Sequence, residues 1–190
     1  MTALIVAAAA LVAAAMYCMA LYNGLVRGRN LAAEAQSGVD VQLKRRADLI
    51  PNLLAAVKGY MGHERGVLES VTGLRAKIAA APDDVARYRL EGELTQALGR
   101  LFALAESYPQ LRASENFASL QQELAAIESE IQMARRYYNG AARAQNNRVQ
   151  TFPANLLSGA FGFATLPYFE LDDPAERNVP RVFFDGGAGA

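Results

Sequence analysis

A zinc site on a helix needs two histidines one turn apart, or a histidine with thiolates close by, because the ion demands three or four nitrogen or sulfur donors at once. His63-Glu64 begins such a pattern and nothing completes it. His63 is the chain's single histidine and Cys18 its single cysteine, the latter inside an apolar N-terminal stretch. His63 is therefore read as a surface residue and no metal site is expected. The terminal glycine-rich GGAGA precedes no helix whose N-terminus would hold an anion, so it is not a phosphate loop. Nor does the chain bring a nucleophile, a base and an orienting group into one recognisable constellation. The sequence predicts no catalytic residues, no cofactor and no small-molecule substrate.

The remaining charged cluster is Lys44-Arg45-Arg46. On a straight helix it lies roughly 27 Å beyond Arg27, several times the Debye length of about 8 Å, so it is too far from a membrane surface at Arg27 to bind lipid. A structural or register role fits it better. The whole chain has 19 basic and 19 acidic residues, a balance that gives no pull toward nucleic acid. Partners are expected to be the lipid bilayer, other copies of this chain, or another membrane protein.

The elements that must position these residues start with Met1–Val26, which has no charged side chain and forms about 37 Å of helix, more than the roughly 30 Å of bilayer hydrocarbon. A secretory signal needs Lys or Arg ahead of its apolar core, and nothing basic precedes Arg27. Lipoprotein processing at Cys18 needs a small preceding residue, and Tyr17 is bulky. The segment reads as a transmembrane anchor. Arg27 and Arg29 then place the rest of the chain in the cytoplasm and the N-terminus outside. Within the span, Ala3 with Ala7, Ala9 with Ala13, Ala10 with Ala14 and Ala20 with Gly24 set small residues one turn apart, a spacing that lets helices approach closely.

Behind the anchor, Val39, Leu43, Ile50, Leu53, Val57, Tyr60, Val67, Val71, Leu74 and Ile78 recur with a helical, near-heptad period. Arg46 and Glu64 fall on that seam, where they either specify register or reach outward. Pro51 predicts a kink rather than a stop, because the apolar phase carries through it. Gly59, Gly62 and Gly66 leave a second break open. Pro82-Asp83-Asp84 is a clear break, and a second helix carrying Leu90, Leu94, Leu101 and Leu104 ends at Pro109. A third starts near Ser114 and runs to about Gln150 on Phe117, Leu120, Leu124, Ile127, Ile131, Ala134 and Tyr138. Asn139-Gly140 is no hairpin, since its flanks keep the helix period.

From Phe152 the character changes to an interrupted aromatic stretch, and Val179–Phe184 reads as extended chain. With a first helix unbroken from about Leu31 to Ala81, roughly 75 Å against 37 Å and 57 Å for the next two, the third helix carries this stretch away from the membrane. Phe152, Leu156, Phe161, Phe163, Phe169, Val182, Phe183 and Phe184 are then expected to build contacts between copies. A break near Gly62 reverses the third helix and returns the segment to the membrane surface as a second, interfacial anchor.

Two long segments, YNGLVRGRNLAAEAQSGVDVQLKRRADLIPNLLAAVKGY from Tyr22 and ARRYYNGAARAQNNRVQTFPANLLSGAFGF from Ala134, resemble the LemA family, as does SENFASLQQEL between them. The likeness covers most of the chain after the anchor. It implies a bacterial inner-membrane protein with an N-terminal anchor, a helical cytoplasmic bundle and no accepted catalytic residues. Gln36 departs from the family pattern, which often has Trp there. The expectation is an all-α protein, with a single N-terminal transmembrane helix (1–26), a long antiparallel helical bundle with coiled-coil-like seams (27–151), and an apolar, aromatic segment with an extended C-terminal tail (152–190). Its expected role is a non-enzymatic scaffold that self-associates, or an adaptor docking on a protease or sensor through its helical face.

Overall fold

The computed structural model describes residues 1–61 and 64–169. His63, Val182, Phe183 and Phe184 lie outside the described residues, and so does the segment read as extended chain. Among those described the elements are α1 (Thr2–Lys58), α2 (Arg65–Ala79), α3 (Asp84–Ala105), the short α4 (Pro109–Arg112), α5 (Glu115–Gln150) and α6 (Ala154–Ala160). The fold is all-α.

Local chemistry explains most boundaries. Asp83, in extended backbone, accepts a hydrogen bond from the Ala86 N–H at 2.8 Å and so satisfies one of the free donors at the start of α3. Ser114 caps α5 in the same way, accepting from Phe117 N–H. Pro109 does not end the second long helix, which stops at Ala105; it begins α4, at a position where its missing N–H costs nothing. Pro51 lies inside α1 without stopping it. α5 passes through Asn139-Gly140 and ends at Gln150.

The first long helix is not continuous to Ala81. α1 ends at Lys58, with Gly59 as its C-cap, and the chain resumes as α2 at Arg65. Glycine's low helix propensity at 59, the C-cap, marks the start of the break. It sends the chain back: α2 packs on α3, and the Thr72–Ala81 stretch borders Asp40–Asp48 of α1. α3 climbs again, and α5 then descends antiparallel to α1 along the whole bundle, from Phe117 beside the end of α1 to Gln145 beside Gly28.

Lengths now match. The 32 residues from Arg27 to Lys58 give about 48 Å and the 36 of α5 about 54 Å, whereas α2 and α3 cover about 22 Å and 33 Å. The far half of the bundle is four helices thick around Ile50, Leu53, Val57, Val71, Leu94, Leu101 and Phe117. The near half is mainly α1 against α5, around Ala32, Ala35, Val39, Ile131, Tyr138 and Ala142. Gly28 lies directly under α5 there: a Cβ at that position would overlap Gln145 Oε1 and lie 2.5 Å from Arg148 Nη1, so both side-chain ends would have to shift.

The apolar start of α1 stands clear of this packing. It is long and apolar enough to cross a membrane, and none of its most apolar window is buried. Burial begins with the half-buried Leu21 and Gly24 and is complete at Leu25, just before Arg27 and Arg29.

Candidate functional site

Among the described residues Arg46 is the most deeply placed charge, with its side chain 1% exposed. Its Nη2 donates to Glu91 Oε2 at 2.5 Å and to the Glu91 carbonyl at 3.2 Å. Its Nη1 donates to Thr95 Oγ1 and to Glu128 Oε2, both at 2.6 Å. One guanidinium thus ties α1 to α3 and α5 at mid-bundle, and on the apolar seam it reaches inward to these partners rather than outward. Thr95 gives no activated nucleophile. Its hydroxyl lies 3.2 Å from the Glu91 carbonyl, toward which it donates, and accepts from Arg46, so both its hydrogen-bonding roles serve the network.

A second polar cluster docks the start of α3 on α1. Gln36 Nε2 donates to Asp84 Oδ2 at 2.8 Å, and Arg87 bridges Asp40 at 2.7 Å and Asp84 at 3.0 Å. Burial pulls the Arg87 pKa down, but Asp40, Tyr88 and Asp84 outweigh it and the net shift is upward. Beside it, burial and then Asp84 push the Tyr88 phenol up to about 12, against the opposing effect of Arg87. Burial and Asp84 also raise Tyr138. At the far end, Tyr108 OH lies 3.3 Å from the Glu64 carboxylate, giving the other seam charge its partner.

The third cluster holds the chain that follows α6. After Ala160 the backbone turns at Gly162, whose φ of 70° is the left-handed region, and Phe163 N–H closes the turn on the Ser158 carbonyl at 2.9 Å. Residues 163–169 then run back up α5. The Asn146 side chain accepts from Leu166 N–H at 2.7 Å and donates to the Leu166 carbonyl at 2.9 Å. Asn139 does the same for Phe169, at 2.9 Å in both directions. Two amides seven residues apart on a helix are about 10.5 Å apart, close to the roughly 10 Å that three extended residues span. Each asparagine therefore pairs with the passing backbone as a neighbouring strand would. Tyr138 OH adds a bond to the Pro167 carbonyl at 2.9 Å.

This path divides the aromatic residues. Phe163 is buried against Leu25 and Val149, with Arg29 5.3 Å above its ring. Phe169 is buried between Tyr88 and Tyr138, with Arg135 5.3 Å over its ring. Both complete the core of their own chain, as the break after Lys58 requires. Phe152, Leu156 and Phe161 remain 74%, 65% and 60% exposed at the anchor end of the bundle.

Sequence reasoning singled out Arg46 but missed Glu91, Glu128, Asn139 and Asn146. Gln145 and Asn146 carried a signal, since they interrupt the buried face of α5 between Ala142 and Val149. Among the described residues no group of His, Cys, Asp and Glu is arranged to hold a metal ion.

The LemA family model matches residues 35–184, most of the bundle and the chain after it. The chain belongs to the LemA family. Protein LemA of Metamycoplasma hominis is 26% identical over 152 residues, covering 80% of this chain and 69% of that protein. Magnetosome protein MamQ 2 of Paramagnetospirillum magneticum is 23% identical and magnetosome protein MamQ of Magnetospirillum gryphiswaldense 24%, each covering 85% of this chain and 70% of its own length. The family match begins beyond the apolar stretch and takes in most of the bundle of this LemA-family chain.

Proposed function

We propose that this LemA-family protein is a non-enzymatic, membrane-anchored helical scaffold that self-associates at the bacterial inner membrane. Its N-terminus lies outside and its bundle in the cytoplasm. The observation that carries the reading is the continuity of α1: one 57-residue helix is both the apolar span and the central strut of the bundle. A flexible tether would let a domain search for substrate. A continuous helix instead fixes the bundle's axis to that of the span, as a scaffold requires. The buried polar groups support the same reading, because Arg46, Glu91, Glu128, Asn139 and Asn146 are engaged in holding elements together. The names LemA and MamQ, which are not enzyme names, also support it.

Self-association is favoured by two open faces. On α5, Met133 and Tyr137 are 45% and 58% exposed, and the same side carries the exposed Gly140 and Ala144. In the span, the small pair Ala10 with Ala14 is exposed, and a Cβ at the half-buried Gly24 would meet nothing. The orientation rests on Arg27 and Arg29 directly after the span. Two differently tagged full-length copies, co-expressed and solubilised in mild detergent, are expected to purify together. Each tag recovering only its own copy would contradict the scaffold and favour the second reading, an adaptor using the α5 face for another membrane protein.

A further inference from the structure

The three exposed apolar residues Phe152, Leu156 and Phe161 sit where the span leaves the bilayer. The Tyr22 ring, one turn before Arg27, meets Phe161 edge-on at a centroid distance of 5.0 Å and Phe163 at 5.9 Å. α6 turns Ala154 and Ser158 inward, and Ser158 Oγ is 2.9 Å from the Val149 carbonyl, bonding the helix to the end of α5. Leu156 points the other way. From Val149 to Phe169 no side chain is charged, while the Arg29 guanidinium lies 5.3 Å from the Phe163 ring and Arg148 reaches Gly28. Aromatic and aliphatic groups at the depth of a helix's exit, with cations beside them, have the composition of a surface that rests in the headgroup region.

We propose that Phe152, Leu156 and Phe161, together with Tyr22, form an interfacial foot that dips into the headgroup–acyl boundary of the leaflet from which the span emerges. The occupant is lipid because the patch is continuous with the span through the Tyr22–Phe161 contact, so a bilayer that surrounds the span up to Tyr22 reaches Phe161 as well. A second copy would have to enter the same layer to cover it. The foot gives the protein a second point of attachment, and two separated contacts fix the tilt and rotation of the bundle where one span leaves rotation free. This inference rests on residues 1–26 being a membrane span.

The chain has no tryptophan, so single Trp substitutions report without background. Full-length Phe152→Trp and Leu156→Trp, both at exposed positions that the fold tolerates, are reconstituted into phosphatidylcholine–phosphatidylglycerol vesicles. The lipids are brominated either near the head or near the tail of the acyl chain. Met16→Trp in the span and Glu69→Trp on exposed α2 serve as deep and aqueous comparators. Both foot variants are expected to emit to the blue of Glu69→Trp and to be quenched more by shallow than by deep bromines, with Met16→Trp showing the reverse order. Emission and quenching equal to Glu69→Trp would overturn the foot while Met16→Trp upholds the span. A blue shift without bromine quenching would overturn it too, assigning the patch to a protein contact. If Met16→Trp itself escapes quenching, the span reading fails and the foot falls with it.

Discussion

At the scale of single residues, the polar interior is a set of devices for fixing position. Arg46 lies between two carboxylates contributed by separate helices, and removing one member of such a buried set leaves the others unpaired. Arg46→Met is therefore expected to cost about 3–5 kcal/mol, measured by denaturant unfolding of the full chain in detergent. Changing Glu91 and Glu128 to Gln and Leu in the same chain should recover much of the loss. Tyr88 supplies the pH dependence. Its phenol is raised from 10 to about 12, so between those values the folded chain keeps a proton that the unfolded chain has lost. Stability therefore falls as pH rises through this window. Thermal melting across it should fall less steeply in Tyr88→Phe than in the parent. Arg46 was legible as a charge on an apolar seam, but its partners were not. They lie 45 and 82 residues away on helices whose registry the sequence leaves open.

At the scale of elements, the period of apolar residues and the cap residues were enough to place most helices. Ser114 and Gln150 bound α5 as expected, and Asp83 starts α3. The turn between α1 and α2 was harder, because Tyr60, Val67 and Val71 keep the phase of Ile50 and Val57 across it. A pattern that survives a break cannot reveal it; only the glycines at 59, 62 and 66 mark the place. That one break decides the fate of the aromatic segment, since it turns α5 toward the anchor and lays Phe163 and Phe169 into the near half of the core. Of the clamp that holds them there, the sequence showed only polar Asn146 interrupting the buried face of α5, because side chain-to-backbone pairing has no hydrophobic period. Asn146→Ala should expose the Leu166 amide, whose acceptor is Asn146 Oδ1, to faster hydrogen exchange while the α1–α5 amides keep their protection.

At the scale of the whole molecule, the anchor, the bundle and the returning chain form one rod standing on a membrane. The span was legible from its length and lack of charge, and the orientation rests on two arginines. With Cys18 replaced by Ala, a cysteine at exposed Glu69 is expected to resist an impermeant maleimide in intact cells and to react after lysis. Labelling in intact cells would place the bundle outside. We propose that this rod assembles with copies of itself. Its most direct test is the mass of the full-length chain, expressed alone and solubilised in mild detergent, with detergent subtracted by light scattering. A uniform particle of several 20.5 kDa copies is expected. A particle with the mass of one chain, unchanged across protein concentration, would contradict it.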